Sequence, residues 1–416
     1  MPAAGWPLPV EIRCSIMTQD LPKNRICVLH VTREWRADQK YGLGKSLMPL
    51  IQALVARGHR VTYLCQEDAG RAGLDLMRKL NPRIGGWLRY LGGATEWENL
   101  FWGLMERVNM GRLAAKVAYR DDYTHVHLHD PFLAWGFRLF SFWRLRRVRW
   151  GITVHGFGSY AQAFHEDGAL LGTTAMRFLR RLETSIVQQC DWVIFPTAAA
   201  MQQLQRDLGL YPIPSRWRVI HHQKMPASSL TRDEARAALN WHVGDLYVLA
   251  VGRVVWLKNF PLAVRACVMA GMDELRLVIV GEGDHAALEA MAAELGFADK
   301  LQFAVTDDVG PYYRAADVYI SSSRTESFGM ANLEAMVAGV PIVSTAIGGA
   351  LEVLGSAASW IPGDDEEALM VALQQVLTDL RFRTALVDRS LRRAESWPNV
   401  DRVADAYEQV YRLALG

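Results

Sequence analysis

Residues 46–64 read SLMPLIQALVARGHRVTYL, and the fold class turns on how this stretch divides. Its first part reads as a helix: Ser46 is placed to cap it, Pro49 is tolerable in a first turn, and Gly58 ends it. A strand over Val61 to Leu64 follows at once, and an apolar strand over Ile26 to Val31 precedes it. Strand, helix and strand in this order predict a parallel sheet built from βαβ units.

The same rhythm continues outward. Further strands are expected at THVHLH (124–129), WGITVHG (150–156) and DWVIFPT (191–197), with helical patterns between them. The second half repeats it with LYVLAVG (246–252), LRLVIVGEG (275–283), KLQFAV (300–305), DVYISSS (317–323) and VPIVST (340–345). Two successive α/β layers imply two doubly wound domains, with ligands at the carboxyl ends of the strands. The boundaries expected are a loose extension over 1–24, a first domain over 25–215, a linker over 216–243, a second domain over 244–395 and a terminal helix over 396–416. That last stretch, NVDRVADAYEQVYRLAL, is amphipathic at helical spacing, with Val403, Tyr407 and Tyr411 near one face.

Composition narrows the class. The chain has 416 residues, 50% of them hydrophobic and 22% charged, an ordinary globular balance able to bury large cores. No stretch reads as a good membrane span and no charged-then-apolar leader opens the chain, so a cytoplasmic setting is expected. The five cysteines are odd in number and lack a CxxC, which fits a reducing compartment. Charge is uneven: residues 1–220 hold 29 Lys and Arg against 18 Asp and Glu, a net of +11, while 221–416 hold 17 against 26, a net of −9. Such asymmetry suggests that the first half faces something anionic, against a chance variation in surface charge.

Several motifs carry chemistry, each with a plainer reading beside it. GLGKS at 42–46 resembles the end of a phosphate-binding loop, but Gln39 stands where the first glycine of that motif belongs, so the glycines mark only a flexible turn near a ligand. HVHLHD puts His125, His127 and His129 on one strand face, a packed strand end near the cleft rather than a metal site, since no matching carboxylate or cysteine set accompanies them. The stretch from Phe132 to Trp150 mixes aromatics with Arg138, Arg144, Arg146, Arg147 and Arg149; it reads either as a basic amphipathic segment for an anionic membrane surface or as a core helix with a solvated basic end. GRVVWLKN places Gly252 at a turn after a strand, with Arg253 and Lys258 able to hold a diphosphate. In TESFGMANLEAM (325–336), Ser327, Phe328, Gly329 and Met330 sit at a helix start, where free amides bind anions. Glu326 lies just before them and Glu334 about a turn and a half inside, each able to accept hydrogen bonds from sugar or ribose hydroxyls. The plainer reading is a helix-terminal charge and a surface acid.

Taken together these motifs resemble glycosyltransferase family 4, whose members are retaining enzymes of the GT-B fold. The family's acid pair with seven residues between corresponds to Glu326 and Glu334, followed by AGVPIVSTAIGGALEVL. GRVVWLKN is similar to its phosphate-binding Arg and Lys, VGEG (280–283) to its glycine loop, and TVHG (153–156) to the stretch with its cleft histidine. The sequence departs at Tyr41-Gly42, Ser327 and Asn259, where glycine is common, and at His221 to Lys224, which replaces Asn-Gly-Val-Asp. The resemblance implies two Rossmann-like domains facing a cleft, with a C-terminal helix crossing back to the first. It implies His155, Arg253, Lys258 and Glu326 as the reaction-centre residues. Gly42, Gly252, Gly281, Gly283, Ser327, Phe328, Gly329, Met330 and Glu334 would hold the donor. It further implies a nucleotide-sugar donor, a sugar, glycan or lipid-linked acceptor, an α-linkage, and neither metal nor cofactor. Peripheral contact with an anionic membrane is expected and nucleic acid is not. A nucleotide-sugar epimerase or a non-catalytic nucleotide-sugar-binding scaffold are the alternatives.

Overall fold

The computed structural model describes residues 25–34, 42–69, 95–143, 147–164 and 173–415. The expected extension over 1–24, Tyr41, and Arg144 and Arg146 lie outside the described residues. Two parallel six-stranded sheets carry the fold. The first contains β1 (Cys27–Val31), β2 (Arg60–Leu64), β3 (His125–Leu128), β4 (Arg149–Thr153), β5 (Trp192–Phe195) and β6 (Trp217–Val219), in the order β2-β1-β3-β4-β5-β6. The second contains β7 (Leu246–Val251), β8 (Leu275–Val280), β9 (Leu301–Ala304), β10 (Val318–Ser321), β11 (Ile342–Thr345) and β12 (Ala358–Ile361), in the order β12-β11-β10-β7-β8-β9. Each order reverses once, and helices cover both faces, so each sheet is doubly wound with its switch point at the carboxyl strand ends.

Sequence and structure differ at some elements. The helix before β2 runs Gly42–Ala56, so Ser46 is inside it and donates to the Leu43 carbonyl at 3.0 Å instead of capping. It stops at Gly58, whose φ of +85° only glycine adopts without strain. The expected linker contributes β6 to the first sheet and a short helix, Arg232–Ala238, capped reciprocally by Thr231 and Glu234. The basic aromatic stretch is not one helix. Helix Pro131–Ser141 starts at Asp130, which accepts from the Phe132 and Leu133 amides, and β4 already begins at Arg149. Arg147 and Arg149 both pair with Asp191, at 3.1 and 3.2 Å.

The terminal helix, Val400–Leu415, leaves the second domain and packs on the first. Its Val403, Tyr407, Val410 and Tyr411 share one buried cluster with Leu47, Leu50, Ile51 and Leu54 of helix Gly42–Ala56. Arg57 fixes the contact at its rim through Asp401, Asp405 and Glu408. No described helix is long and apolar enough to cross a membrane.

Candidate functional site

Between the two sheets lies a cleft of about 910 Å³, lined from both sides. The first domain supplies Arg33, Glu34, Leu43, Lys45, His155 and His222, the last from the connection to the second domain. The second domain supplies the turn after β7, the glycine loop after β8, and Glu326 to Ala331 with Glu334.

The turn after β7 is built by close backbone approach. Gly252 N–H donates to the Val280 carbonyl at 3.0 Å, and a Cβ on Gly281 would come within 1.9 Å of the Gly252 carbonyl oxygen. Only glycine fits, and the two loops therefore stack at the strand ends as one ledge. Arg253 stands exposed on this ledge. Lys258 follows in a short 3₁₀ turn, and its ammonium lies 2.9 Å from Glu326 Oε1. Asn259 takes the left-handed conformation, φ +49°, and donates to Asp364 at 2.6 Å. That conformation explains the preference for glycine here, and asparagine is the residue that next best tolerates it.

Helix Met330–Ala338 begins at Gly329, φ +87°, with no side-chain cap, so its first amides are free to meet an anion. Phe328 is buried and packs edge-on to His222, with ring centroids 4.7 Å apart. Glu334 lies inward on the same helix. Its Oε1 accepts from Lys45 of the first domain at 2.8 Å, and its Oε2 accepts from the Tyr313 hydroxyl at 3.2 Å. Three further bonds close the cleft at its edge: Thr197 Oγ1 donates to the Ser327 carbonyl at 2.7 Å, and Glu352 accepts from the Ala198 and Ala199 amides at 3.0 and 3.1 Å.

His155 is half-buried at the floor of the cleft, stacked at 6.0 Å on His222. Burial pushes its pKa down to about 4, and that of His222 to about 3, so both rings are neutral at pH 7. The expected strand histidines lie behind it. His125, His127 and His129 are buried, the first two hydrogen-bonded to Tyr411 of the terminal helix and the third to His155, and among the described residues no group of His, Cys, Asp or Glu is arranged to hold a metal ion.

The structure thus brings His155, Gly252, Arg253, Lys258, Gly281, Gly283, Glu326, Ser327, Phe328, Gly329, Met330 and Glu334 to one cleft. Gly42 only heads the helix whose Leu43 and Lys45 line it. Lys45 and Tyr313 were not anticipated as site residues. The GLGKS stretch is not a turn but the start of helix Gly42–Ala56, and it is this helix that carries Lys45 to the cleft. Nothing in the local sequence singles out Tyr313.

Known proteins share this pattern. A family model described as "Glycosyltransferase Family 4" matches residues 41–222, and one described as "Glycosyl transferases group 1" matches residues 231–393. A D-inositol 3-phosphate glycosyltransferase from Acidothermus cellulolyticus is 32% identical over 295 residues, 65% of this chain and 64% of that protein. The chain spans less than two thirds of the length of the curated relatives it matches. Among solved structures, sucrose-phosphate synthase from Thermosynechococcus elongatus superposes with a TM-score of 0.71 at 20% identity, over 93% of this chain and 98% of that one. Anabaena Alr3699/HepE, described in complex with UDP-glucose, gives 0.67 at 15% identity over 93% and 99%. These likenesses are to the fold.

Proposed function

Because the chain belongs to glycosyltransferase family 4, we propose that it moves a sugar from a nucleoside-diphosphate donor to an acceptor hydroxyl, with retention of the anomeric configuration and hence an α-linkage. The observation that carries this reading is the meeting of two cations, a free helix N-terminus and two carboxylates in one interdomain cleft. Cations and amides suit a diphosphate; carboxylates suit hydroxyl-rich groups at its two ends.

The barrier is heterolysis of an anomeric C–O bond, in which the departing diphosphate gathers negative charge. Lys258, paired with Glu326, and the amides at Gly329 and Met330 are in place before the reaction and stabilise that charge, and the exposed Arg253 adds a second cation beside them. They stand where a divalent ion would serve in a metal-dependent transferase. Glu326, held by Lys258 at 2.9 Å, receives the sugar hydroxyls at the point where the sugar joins the diphosphate. Glu334, steadied by Tyr313, receives the ribose hydroxyls, and Lys45 must then share or release it. The acceptor enters from the first domain, beside His155. The leaving phosphate takes the acceptor proton on the same face of the sugar, a course that needs no enzyme nucleophile.

The basic surplus of the first domain has a use in this scheme. Leu139, Phe142 and Trp143 are exposed at the end of helix Pro131–Ser141, Phe142 at 75%, close in sequence to Arg138 and Arg147. Such a patch suits peripheral attachment to the cytoplasmic face of an anionic membrane and a lipid-linked glycan acceptor in surface-polysaccharide synthesis.

The test is to incubate the protein with UDP-, GDP- and ADP-sugars, UDP-glucose first, and measure nucleoside diphosphate released with and without acceptor mixtures. Acceptor-dependent release that survives a chelator is expected. Conversion of the donor without transfer points to an epimerase, binding without turnover to a scaffold, and loss with chelator reversed by magnesium or manganese overturns the metal-free scheme.

A further inference from the structure

A continuous line of hydrogen-bonded side chains runs under the cleft through the first domain. Thr153 Oγ lies 2.7 Å from His127 Nε2, and His127 Nδ1 lies 2.8 Å from the Tyr411 hydroxyl. That hydroxyl is 3.3 Å from His30 Nε2, and His30 Nδ1 is 3.1 Å from His129 Nε2. His129 Nδ1 is 2.9 Å from His155 Nε2, at the cleft floor. The rings stack in series, His30 on His127 at 4.9 Å, His127 on His129 at 5.0 Å and His129 on His155 at 5.2 Å. His30 and His127 have no exposed surface and His129 has 5%. Four imidazoles and a phenol thus form one buried polar line in which each link depends on the next.

Burial holds every one of these histidines neutral at pH 7. A neutral imidazole donates through one nitrogen and accepts through the other. The direction chosen at one link therefore fixes every other link. Tyr411 makes the choice, because its hydroxyl has one proton and two imidazole nitrogens beside it. Hydroxyl donors favour separations of about 2.7–2.8 Å, and 3.3 Å is long for one. The proton accordingly goes to His127 Nδ1, and His30 Nε2–H donates to the phenol oxygen. His30 Nδ1 then accepts from His129 Nε2–H, and His129 Nδ1 accepts from His155 Nε2–H. Nδ1 of His155 has no partner among the described residues, and it is left with a lone pair on a residue that lines the cleft.

We infer that Tyr411, His30 and His129 are positioning residues that lock His155 as its Nε2–H tautomer and present the Nδ1 lone pair to a hydroxyl of the bound sugar. The sugar hydroxyl in this statement rests on the transfer reading above; the tautomer does not. The locking residue sits on the terminal helix, 286 positions beyond His125, whose Nε2 meets the Tyr411 carbonyl at 3.0 Å.

The experiment uses the full chain labelled with ¹⁵N-histidine and long-range ¹⁵N–¹H spectra recorded without substrates, with His155→Asn to assign the His155 signals. A single His155 form, protonated at Nε2 and bare at Nδ1, is expected. Tyr411→Phe keeps the buried ring but removes the branch point, so both His155 tautomers should then be seen. The kcat of transfer should fall about fivefold, the worth of one neutral hydrogen bond, with donor KM unchanged. His129→Phe should give the same spectral mixture. A wild-type His155 protonated at Nδ1 overturns the inference even if neither variant folds, and so does a tautomer unmoved in both. If no donor and acceptor pair supports transfer, the functional reading fails while the spectra still decide the tautomer.

Discussion

Lys258 pairs with Glu326 on one side and lies along Gly252 on the other, so in the proposed scheme its charge would serve both the carboxylate and the leaving diphosphate. Arg253→Ala and Lys258→Ala should each lower turnover by about 10²-fold or more, the usual effect of losing one preorganised charge-stabilising donor. Steady-state kinetics in which both variants stay within about threefold of wild type would remove them from the leaving-group role. Glu334→Gln loses a charged acceptor and should weaken donor binding by roughly 10- to 100-fold, measurable by calorimetry. An unchanged Kd would place the ribose elsewhere. These residues were legible because each sits in a short stretch whose spacing and turn chemistry make sense together. Asn259 was legible only as a departure; its left-handed φ is one that glycine adopts freely and asparagine tolerates. Lys45, Tyr313 and His30 were not legible. Their partners lie far off in the chain, Lys45 with Glu334 289 positions away, and no local pattern records such a meeting.

At the scale of elements, ten of the twelve strands among the described residues were readable as apolar runs between turn signals. The two that were not are β6 and β12, the edges of their sheets. β6 has three residues with the exposed Arg218 in the middle, and β12 is four residues with a half-buried centre, so neither has the long apolar run of an interior strand. The end of the basic aromatic stretch was hard to read for a different reason. Its Arg147 and Arg149 answer Asp191 across a strand pair, a contact that periodicity along one helix cannot reveal. The exposed end of helix Pro131–Ser141 still invites a membrane, and vesicle sedimentation tests it. Binding to anionic vesicles should exceed binding to neutral ones and fall with salt, since screening shortens to about 10 Å at 0.1 M. Phe142→Ser with Trp143→Ser should abolish it. Equal, negligible binding to both vesicle types would leave a soluble acceptor.

The whole molecule carries opposed titrations. His30, His125, His155 and His222 have pKa values pushed by burial to about 3 or 4, below the ordinary 6.5. Their contribution is present above pH 6.5 and is lost as pH falls towards 4, because the unfolded chain then binds more protons. Glu183 is the reverse case. Burial raises it to about 8, so its contribution is complete below pH 4.5 and is lost as pH rises through 8. Thermal midpoints should therefore peak near neutrality, fall steeply below pH 6, and flatten above pH 7 in Glu183→Gln. A wild-type midpoint constant from pH 4 to 6.5 would contradict the burial of the histidines. The terminal helix has one more consequence, which concerns time. Synthesis runs from the first residue to the last, at roughly 5–20 residues per second, and early domains ordinarily fold as they emerge. Here the first domain cannot finish: Leu47, Leu50, Ile51 and Leu54 lack their cover, and His127 lacks its phenol, until Tyr411 has left the ribosome. The domain made first is completed last, so an interrupted message yields a protein that fails in the half already made.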